Sequence, residues 1–294
     1  MISAREAYRA ELTELAAADP RIVCLEADLG GASHPFRDSI PDRFLNLGIA
    51  EASAVDIAVG LASAGLRPFV STFATFATFR AAESVKLGLG YLGAPVVLVC
   101  PYGGVSGAWF GPTHHCLEDL AVVQSLPGLR IAVPAGEAET REVIRTAATG
   151  DRPCYVRLAR NDVFDIPFTP AGRGEVSWLN PLGGDTCLVS IGEKPTELCA
   201  AATKQRPELG HAHLCWVDAE SLAEVLPQLT GVRRLVVVEE HRAAGSVAAT
   251  LALMLPLQEV RGVNAGTDWP SEGGSHDETL AALGLTVSAV LQAV

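Results

Sequence analysis

Short apolar runs alternate with amphipathic stretches from one end of the chain to the other. Residues 4–18 repeat apolar positions at helical spacing and stop at Asp19-Pro20, which predicts a helix. Residues 22–25 read as a short buried strand running into the turn Asp28-Leu29-Gly30-Gly31. A strand over 44–47 leads into a largely apolar helix that starts at Glu51 and is closed by Gly65. Further strands are predicted over 68–71, 95–100, 129–133 and 154–158. Helices are predicted after Ser71 to about Gly88, from Leu117, and over 137–148. This alternation implies parallel strands with right-handed crossovers.

The pattern lapses over 166–184, which is rich in Pro and Gly and reads as a linker. It resumes with strands over 186–191, 214–217, 235–238 and 258–262, separated and followed by helices. The expected fold is α/β, with two doubly wound, mainly parallel-sheet domains over 1–165 and 185–294. No short repeat or low-complexity tract interrupts it.

Composition narrows the class. The 294 residues are 49% hydrophobic but only 6% aromatic, so Ala, Val and Leu must build the core. Charged residues make up 19%, which points to surface buried against other chains. A net charge of −12 argues against nucleic acid or an anionic membrane as the main partner. It leaves room for an anionic small substrate held by a local pair of Arg. The seven Cys form no CxxC pair, and Cys24, Cys100 and Cys187 fall inside apolar strands, so thiols are expected. The N-terminal segment is amphipathic rather than a signal peptide, and no apolar run approaches the ~20 residues of a membrane span. A cytoplasmic protein is expected.

Candidate chemistry gathers after the first-domain strands, where open α/β sheets carry their sites. Glu51 stands at a helix start. Buried, its carboxyl would be costly to ionise and suited to protonating a weak base in a dry site. Facing solvent, it would be an ordinary first-turn acid favoured by the helix dipole. Phe73, Phe76 and Phe79 recur at intervals of three, either as a core stripe or as a wall for a planar heterocycle. The Gly-rich loop 101–115 carries Tyr102, Trp109, Phe110, His114 and His115. Its two His read as an acid/base or donor pair, as half-exposed loop residues, or as metal ligands that lack a nearby third ligand. Arg157 and Arg160 end a strand, where an Arg fork grips phosphate or carboxylate; a surface salt bridge serves Arg157 equally well. Neither Gly-x-Ser-x-Gly, Gly-x-Gly-x-x-Gly nor a Walker-type loop is present.

In order, these segments resemble the C-terminal half of transketolase, as found in split, two-subunit transketolases. The resemblance rests on Asp28-Leu29-Gly30-Gly31, Pro41-Asp42-Arg43-Phe44, Asn46 to Glu51, residues 68–76, Gly111-Pro112-Thr113-His114, Leu126-Pro127, Val133-Pro134-Ala135 and Arg157-Leu158-Ala159-Arg160. It continues through Val236-Val237-Val238-Glu239-Glu240-His241 and Ala282-Leu283-Gly284-Leu285. It implies a pyrimidine-binding domain, then a transketolase C-terminal-like domain, and thiamine diphosphate as cofactor. By resemblance, Glu51 faces N1′ of the aminopyrimidine and favours the imino tautomer that takes the thiazolium C2 proton. A two-carbon ketol (glycolaldehyde) unit then passes from a ketose phosphate to an aldehyde acceptor. Phe76 matches the aromatic that stacks on the pyrimidine, with Phe73 and Phe79 beside it. Asp28 matches an acid near the cofactor and the subunit junction. His114 matches a substrate-binding His, Arg160 an Arg that grips the sugar phosphate, and Arg5 falls roughly where a second phosphate Arg stands.

The chain also departs from that family. The usual loop has His at the position of Tyr102 and Glu-Asp at Trp109-Phe110, and position 52, commonly Gln, is Ala. Aromatic groups there leave sugar hydroxyls unpaired, at roughly 1–3 kcal/mol each. A specialised two-carbon or acyl transfer onto a less hydroxylated acceptor is therefore expected. The family's Gly-Asp-Gly…Asn segment, which holds the diphosphate and Mg2+, does not occur. The resemblance implies that a separate N-terminal subunit supplies both, in an α2β2 assembly, with no metal ligand here and no activity from this chain alone. Rival readings are the β subunit of a 2-oxo acid dehydrogenase decarboxylase and a non-catalytic scaffold; a half-chain of 1-deoxyxylulose-5-phosphate synthase type is less favoured. The second domain, including Glu239-Glu240-His241, reads as structural or interfacial.

Overall fold

The computed structural model describes residues 1–30, 33–160, 163–270 and 274–294. Gly31 of the turn expected after the first strand lies outside the described residues. The first sheet has six parallel strands: β1 (Ile22–Glu26), β2 (Phe44–Asn46), β3 (Arg67–Ser71), β4 (Val97–Cys100), β5 (Arg130–Ala132) and β6 (Cys154–Arg157). Their order is β2-β1-β3-β4-β6-β5. The helices of this half are α1 (Ala4–Ala18), α2 (Pro35–Ser39), α3 (Glu51–Ser63), the single turn α4 (Ala82–Ser84), α5 (Asp119–Gln124) and α6 (Gly136–Thr149). Chain order reverses between β1 and β3, the switch point at which doubly wound sheets open a crevice. Glu26 pairs with both Asn46 and Ser71, so β2, β1 and β3 end level at that crevice.

The second sheet is mixed: β7 (Ser177–Asn180), β8 (Thr186–Ile191), β9 (Gly210–His213), β10 (Arg234–Arg242) and β11 (Glu259–Ala265), in the order β11-β10-β8-β9-β7. Only the β7–β9 pairing in it is antiparallel. Its helices are α7 (Glu193–Gln205), α8 (Ala219–Leu229), α9 (Val247–Met254), α10 (His276–Ala282) and α11 (Val287–Ala293). One apolar core, including Leu98, Ile131, Val189 and Val237, runs through both halves. All seven Cys are buried free thiols. Among the described residues no helix is long and apolar enough to cross a membrane.

Three expectations are corrected. The 166–184 stretch is not all linker, because Ser177–Asn180 forms edge strand β7 on β9. Its Pro- and Gly-rich flanks hide a strand only four residues long. The strand expected over 214–217 lies earlier, at Gly210–His213. Periodicity misses it because its buried side chains are His211 and His213, held by Ser190 at 2.9 Å and Glu139 at 2.9 Å respectively. Residues 214–217 instead bond across to the first sheet, through Val133 N–H to Cys215 O and Val217 N–H to Ile131 O. Finally, the helix after Ser71 is mostly π-type, over Phe76–Arg80 and Val85–Tyr91, which changes which residues share a face.

Candidate functional site

The crevice is built from the strand ends inward. Asn46 Oδ1 accepts from the backbone N–H groups of Asp28 (3.3 Å) and Gly48 (3.0 Å), tying the loop after β1 to the entry of α3. Gly48 adopts φ +66°, which lets the chain turn sharply into that helix. Glu51 is its first residue, and the preceding Ala50 offers no side-chain cap. The Glu51 side chain is 2% exposed. Its Oε1 lies 2.7 Å from Arg80 Nη1, while Oε2 is buried with no hydrogen-bond partner. A buried carboxylate needs a compensating cation, and Arg80 supplies it. The sequence reading missed Arg80; its place four residues after Phe76, on the same helical segment, was the available signal.

Beside Glu51 stands an aromatic group. Phe73 meets Phe76 edge-on at 5.5 Å, Tyr102 at 4.4 Å and His114 at 5.3 Å. His114 also contacts Phe76 at 5.3 Å and stacks on Phe110 at 4.5 Å. Arg80 lies over the Phe76 ring, 4.2 Å from its centroid. Phe79 stands apart: it is 56% exposed and, among the described residues, enters none of these ring contacts. A π-type turn takes more residues per revolution than an α-turn, so position i+3 falls further from the Phe76 face.

The 101–115 loop packs over this shelf. Tyr102 is buried at φ +67°, a left-handed conformation rare for an aromatic residue. Arg160 lies 4.2 Å from the Trp109 centroid and 4.8 Å from that of Tyr102, with its Nε buried and unpartnered. The loop aromatics therefore hold a cation as well as covering space. Arg5, on α1, also has a buried, unpartnered Nε; burial lowers its pKa first, then the neighbouring charges of Arg9 and Arg160. Burial pushes the Tyr102 hydroxyl up, opposed by Arg160 and Arg5. Two cations facing one phenol, with donors left over, are the groups an anion would need.

His114 Nδ1 lies 2.9 Å from Thr113 Oγ1. Burial, then the charge of Arg80, lowers its pKa, so the imidazole is neutral near pH 7. His115 turns away: it is buried, with Nε2 3.3 Å from Ala108 O. Arg157 is no anion fork. It is buried, paired with Asp119 at 2.7 Å, and donates to the carbonyls of Cys116 and Glu240. Asp28 stands exposed at the end of β1 with φ +52°.

A second group missed from sequence braces the crevice floor. Glu26 is buried at the end of β1, with Arg9 and His34 each 2.9 Å from its Oε1. Burial raises its pKa, but His34 and Arg9 together bring it below the ordinary range. This triad fixes α1, and hence Arg5, against the strand end. Among the described residues no group of three or more His, Cys, Asp or Glu is arranged to hold a metal.

Comparison with known proteins places this geometry. Residues 1–164 match the transketolase pyrimidine-binding domain. A subunit of the apulose-4-phosphate transketolase of Phocaeicola vulgatus is 32% identical over 259 residues, covering 85% of this chain and 82% of the relative. A 1-deoxy-D-xylulose-5-phosphate synthase of Nitratidesulfovibrio vulgaris is 32% identical over 301 residues, 96% of this chain but 46% of that enzyme. Among solved structures, a split-gene transketolase described as an inactive β4 tetramer superposes with a TM-score of 0.85 at 30% identity, over 99% of this chain and 96% of the other.

Proposed function

The chain belongs to the transketolase family, and from that membership we propose that it is the pyrimidine-side subunit of a two-subunit, thiamine-diphosphate-dependent ketol transferase. The observation that carries this reading is Glu51: a buried carboxyl with one unpartnered oxygen, joined through Arg80 to the Phe76 ring of the aromatic shelf, at the switch point of the sheet. These residues fit an aminopyrimidine, which needs an acid at a ring nitrogen and an aromatic face to lie on. Thiamine diphosphate, when bound, would supply the nucleophilic carbon and the electron sink for breaking and forming a C–C bond.

The chain's own residues divide the remaining tasks. Glu51 Oε2 holds or passes a proton at the pyrimidine ring nitrogen. Phe76 and Phe73 orient the ring and exclude water. His114, neutral, meets a substrate oxygen as donor or acceptor. Arg160 and Arg5 grip a terminal anion, while the rings of Tyr102, Trp109 and Phe110 lie against Arg160 and line the approach with apolar surface. That lining favours a sugar phosphate or aldehyde with few hydroxyls over ordinary pentose phosphates. The relative that acts on apulose 4-phosphate supports a specialised sugar. Asp28 closes the site near the subunit junction. The diphosphate and Mg2+ fall to an N-terminal partner subunit in an α2β2 assembly in the cytoplasm, since the chain has no Gly-Asp-Gly…Asn segment.

The second reading is a 2-oxo acid dehydrogenase decarboxylase-like acyl or ketol transfer, in which the donor is a 2-oxo acid; the likeness to an enzyme named as a synthase rather than a transketolase supports keeping it. Both are tested by reconstituting the chain with its diphosphate-binding partner. Ketose cleavage with transfer of two carbons, abolished by Glu51→Gln without loss of assembly, is the expected result. Decarboxylation of pyruvate with no ketose cleavage would replace it with the second reading. Turnover unchanged in Glu51→Gln would refute both.

A further inference from the structure

We propose that Glu240, on the second sheet, positions the 101–115 loop of the first, and through it the substrate site; this rests on the reading that the loop lines the substrate channel. The loop begins as a clamped limb. Gly104 and Cys116 exchange backbone hydrogen bonds of 2.8 and 2.7 Å, and Gly103 N–H donates to Leu158 O at 3.0 Å. The next residue, Val105, donates its N–H to Glu240 Oε1 at 2.5 Å. Its side chain is fully buried with Leu188, Val236 and Val238 of the second sheet. Beyond this anchor come Trp109 and Phe110, whose rings lie against Arg160, and Phe110 stacks on His114.

Glu240 is itself fixed from the other side. His276 Nε2, on α10, lies 2.9 Å from the same Oε1, and Arg157 Nη2 donates to the Glu240 carbonyl at 2.9 Å. Burial pushes the Glu240 carboxyl up, but His276, Arg157 and Val105 N–H outweigh it and leave the pKa below the ordinary range. The limb has no slack. At Gly104, φ +63°, an added Cβ would collide with Glu240 Oε1; at Gly103 it would lie 2.7 Å from the Arg157 side chain.

Burying a carboxylate is costly, and an apolar contact would join the two halves with less penalty. What the carboxylate adds is direction: one backbone N–H, close behind the left-handed residues Tyr102 and Gly104, the first of them strained, is held at one point. Glu240 touches no candidate substrate residue, so it acts as a positioning residue.

The test uses the assembled complex and two readouts. Amide exchange at Val105 reports the tie directly. The KM of the phosphorylated substrate, against kcat and cofactor affinity, reports its use. Glu240→Ala is expected to speed Val105 exchange at least tenfold and raise KM about tenfold, with kcat and cofactor affinity within twofold. Glu240→Gln, which keeps an acceptor for Val105, should recover most of both. Gly104→Ala displaces the limb from the loop side and should reproduce the Glu240→Ala pattern, so the proposal stays testable if that variant does not fold. Unchanged Val105 exchange in the variants, or faster exchange with KM unmoved, would overturn it. Failure of the functional reading looks different: wild-type complex would show no ketol transfer, whatever the amide does.

Discussion

Arg80 sets its guanidinium 2.7 Å from the Glu51 carboxylate while lying 4.2 Å over the ring of Phe76. One half-exposed side chain thus touches both groups assigned to the cofactor ring. It partners one oxygen of the buried Glu51 carboxyl and leaves the other without a partner.

Removing that cation should be felt in stability first. Arg80→Ala leaves a buried carboxylate oxygen without its partner, at roughly 1–3 kcal/mol, discounted because Arg80 is half exposed. Denaturant midpoints of the chain measure it. Arg80→Lys keeps the charge but loses the planar stack, so it should restore only part. Equal stability of all three would remove the ion pair from the description.

Phe76 and Phe79 are three residues apart but should behave differently. Phe76→Ala removes the shelf and should weaken thiamine diphosphate binding to the complex about tenfold. Phe79→Ala, on the exposed face, should leave it within twofold. Titration of the two variants decides between the observed π-type turn and a continuous aromatic stripe.

Arg160 lies over the rings of Trp109 and Tyr102. Arg160→Ala should raise the KM of a phosphorylated substrate by roughly 10- to 100-fold, the value of a charge-assisted hydrogen bond. Arg160→Lys should recover little, since an ammonium presents no fork. The same variants tested on an uncharged analogue should show no such loss.

Stability should fall in acid through His211. Burial, then neighbouring His213, lowers its pKa to about 3, and its Nδ1 is buried without a partner. An unfolded His binds its proton near pH 6.5, so between about 6.5 and 3 the unfolded chain carries the extra proton. Stability is therefore lost as pH falls through this window, by up to about 1.4 kcal/mol per unit from this residue. Denaturant midpoints from pH 7 to 4 should show a shallower slope in His211→Gln, whatever its stability at pH 7.

Much of this was legible in the residues. The apolar runs at 22–25, 95–100 and 235–238 hold strands, the second beginning only at Val97, because buried parallel strands need continuous apolar faces, and Glu51 shows itself as the acid that opens an apolar helix. What stayed hidden depends on contacts distant in sequence. β9 is concealed because its buried positions are His211 and His213, each held through Nε2 by Ser190 or Glu139 from another element. Arg157 read equally as an anion fork or a surface salt bridge because its buried partner, Asp119, lies 38 residues away. Arg80 and the Arg9–Glu26–His34 triad gain meaning only when the strand ends meet.

The most direct test follows the proton rather than the product. Exchange of the thiazolium C2 proton for deuterium, measured in the assembled complex without substrate, reads the action of Glu51 on the pyrimidine and needs no knowledge of the sugar. With wild-type chain the exchange should be fast, and Glu51→Gln should slow it by roughly 10²- to 10⁴-fold, the range of a positioned acid–base group. Equal exchange rates in the two complexes, with the cofactor bound in both, would contradict the role assigned to Glu51.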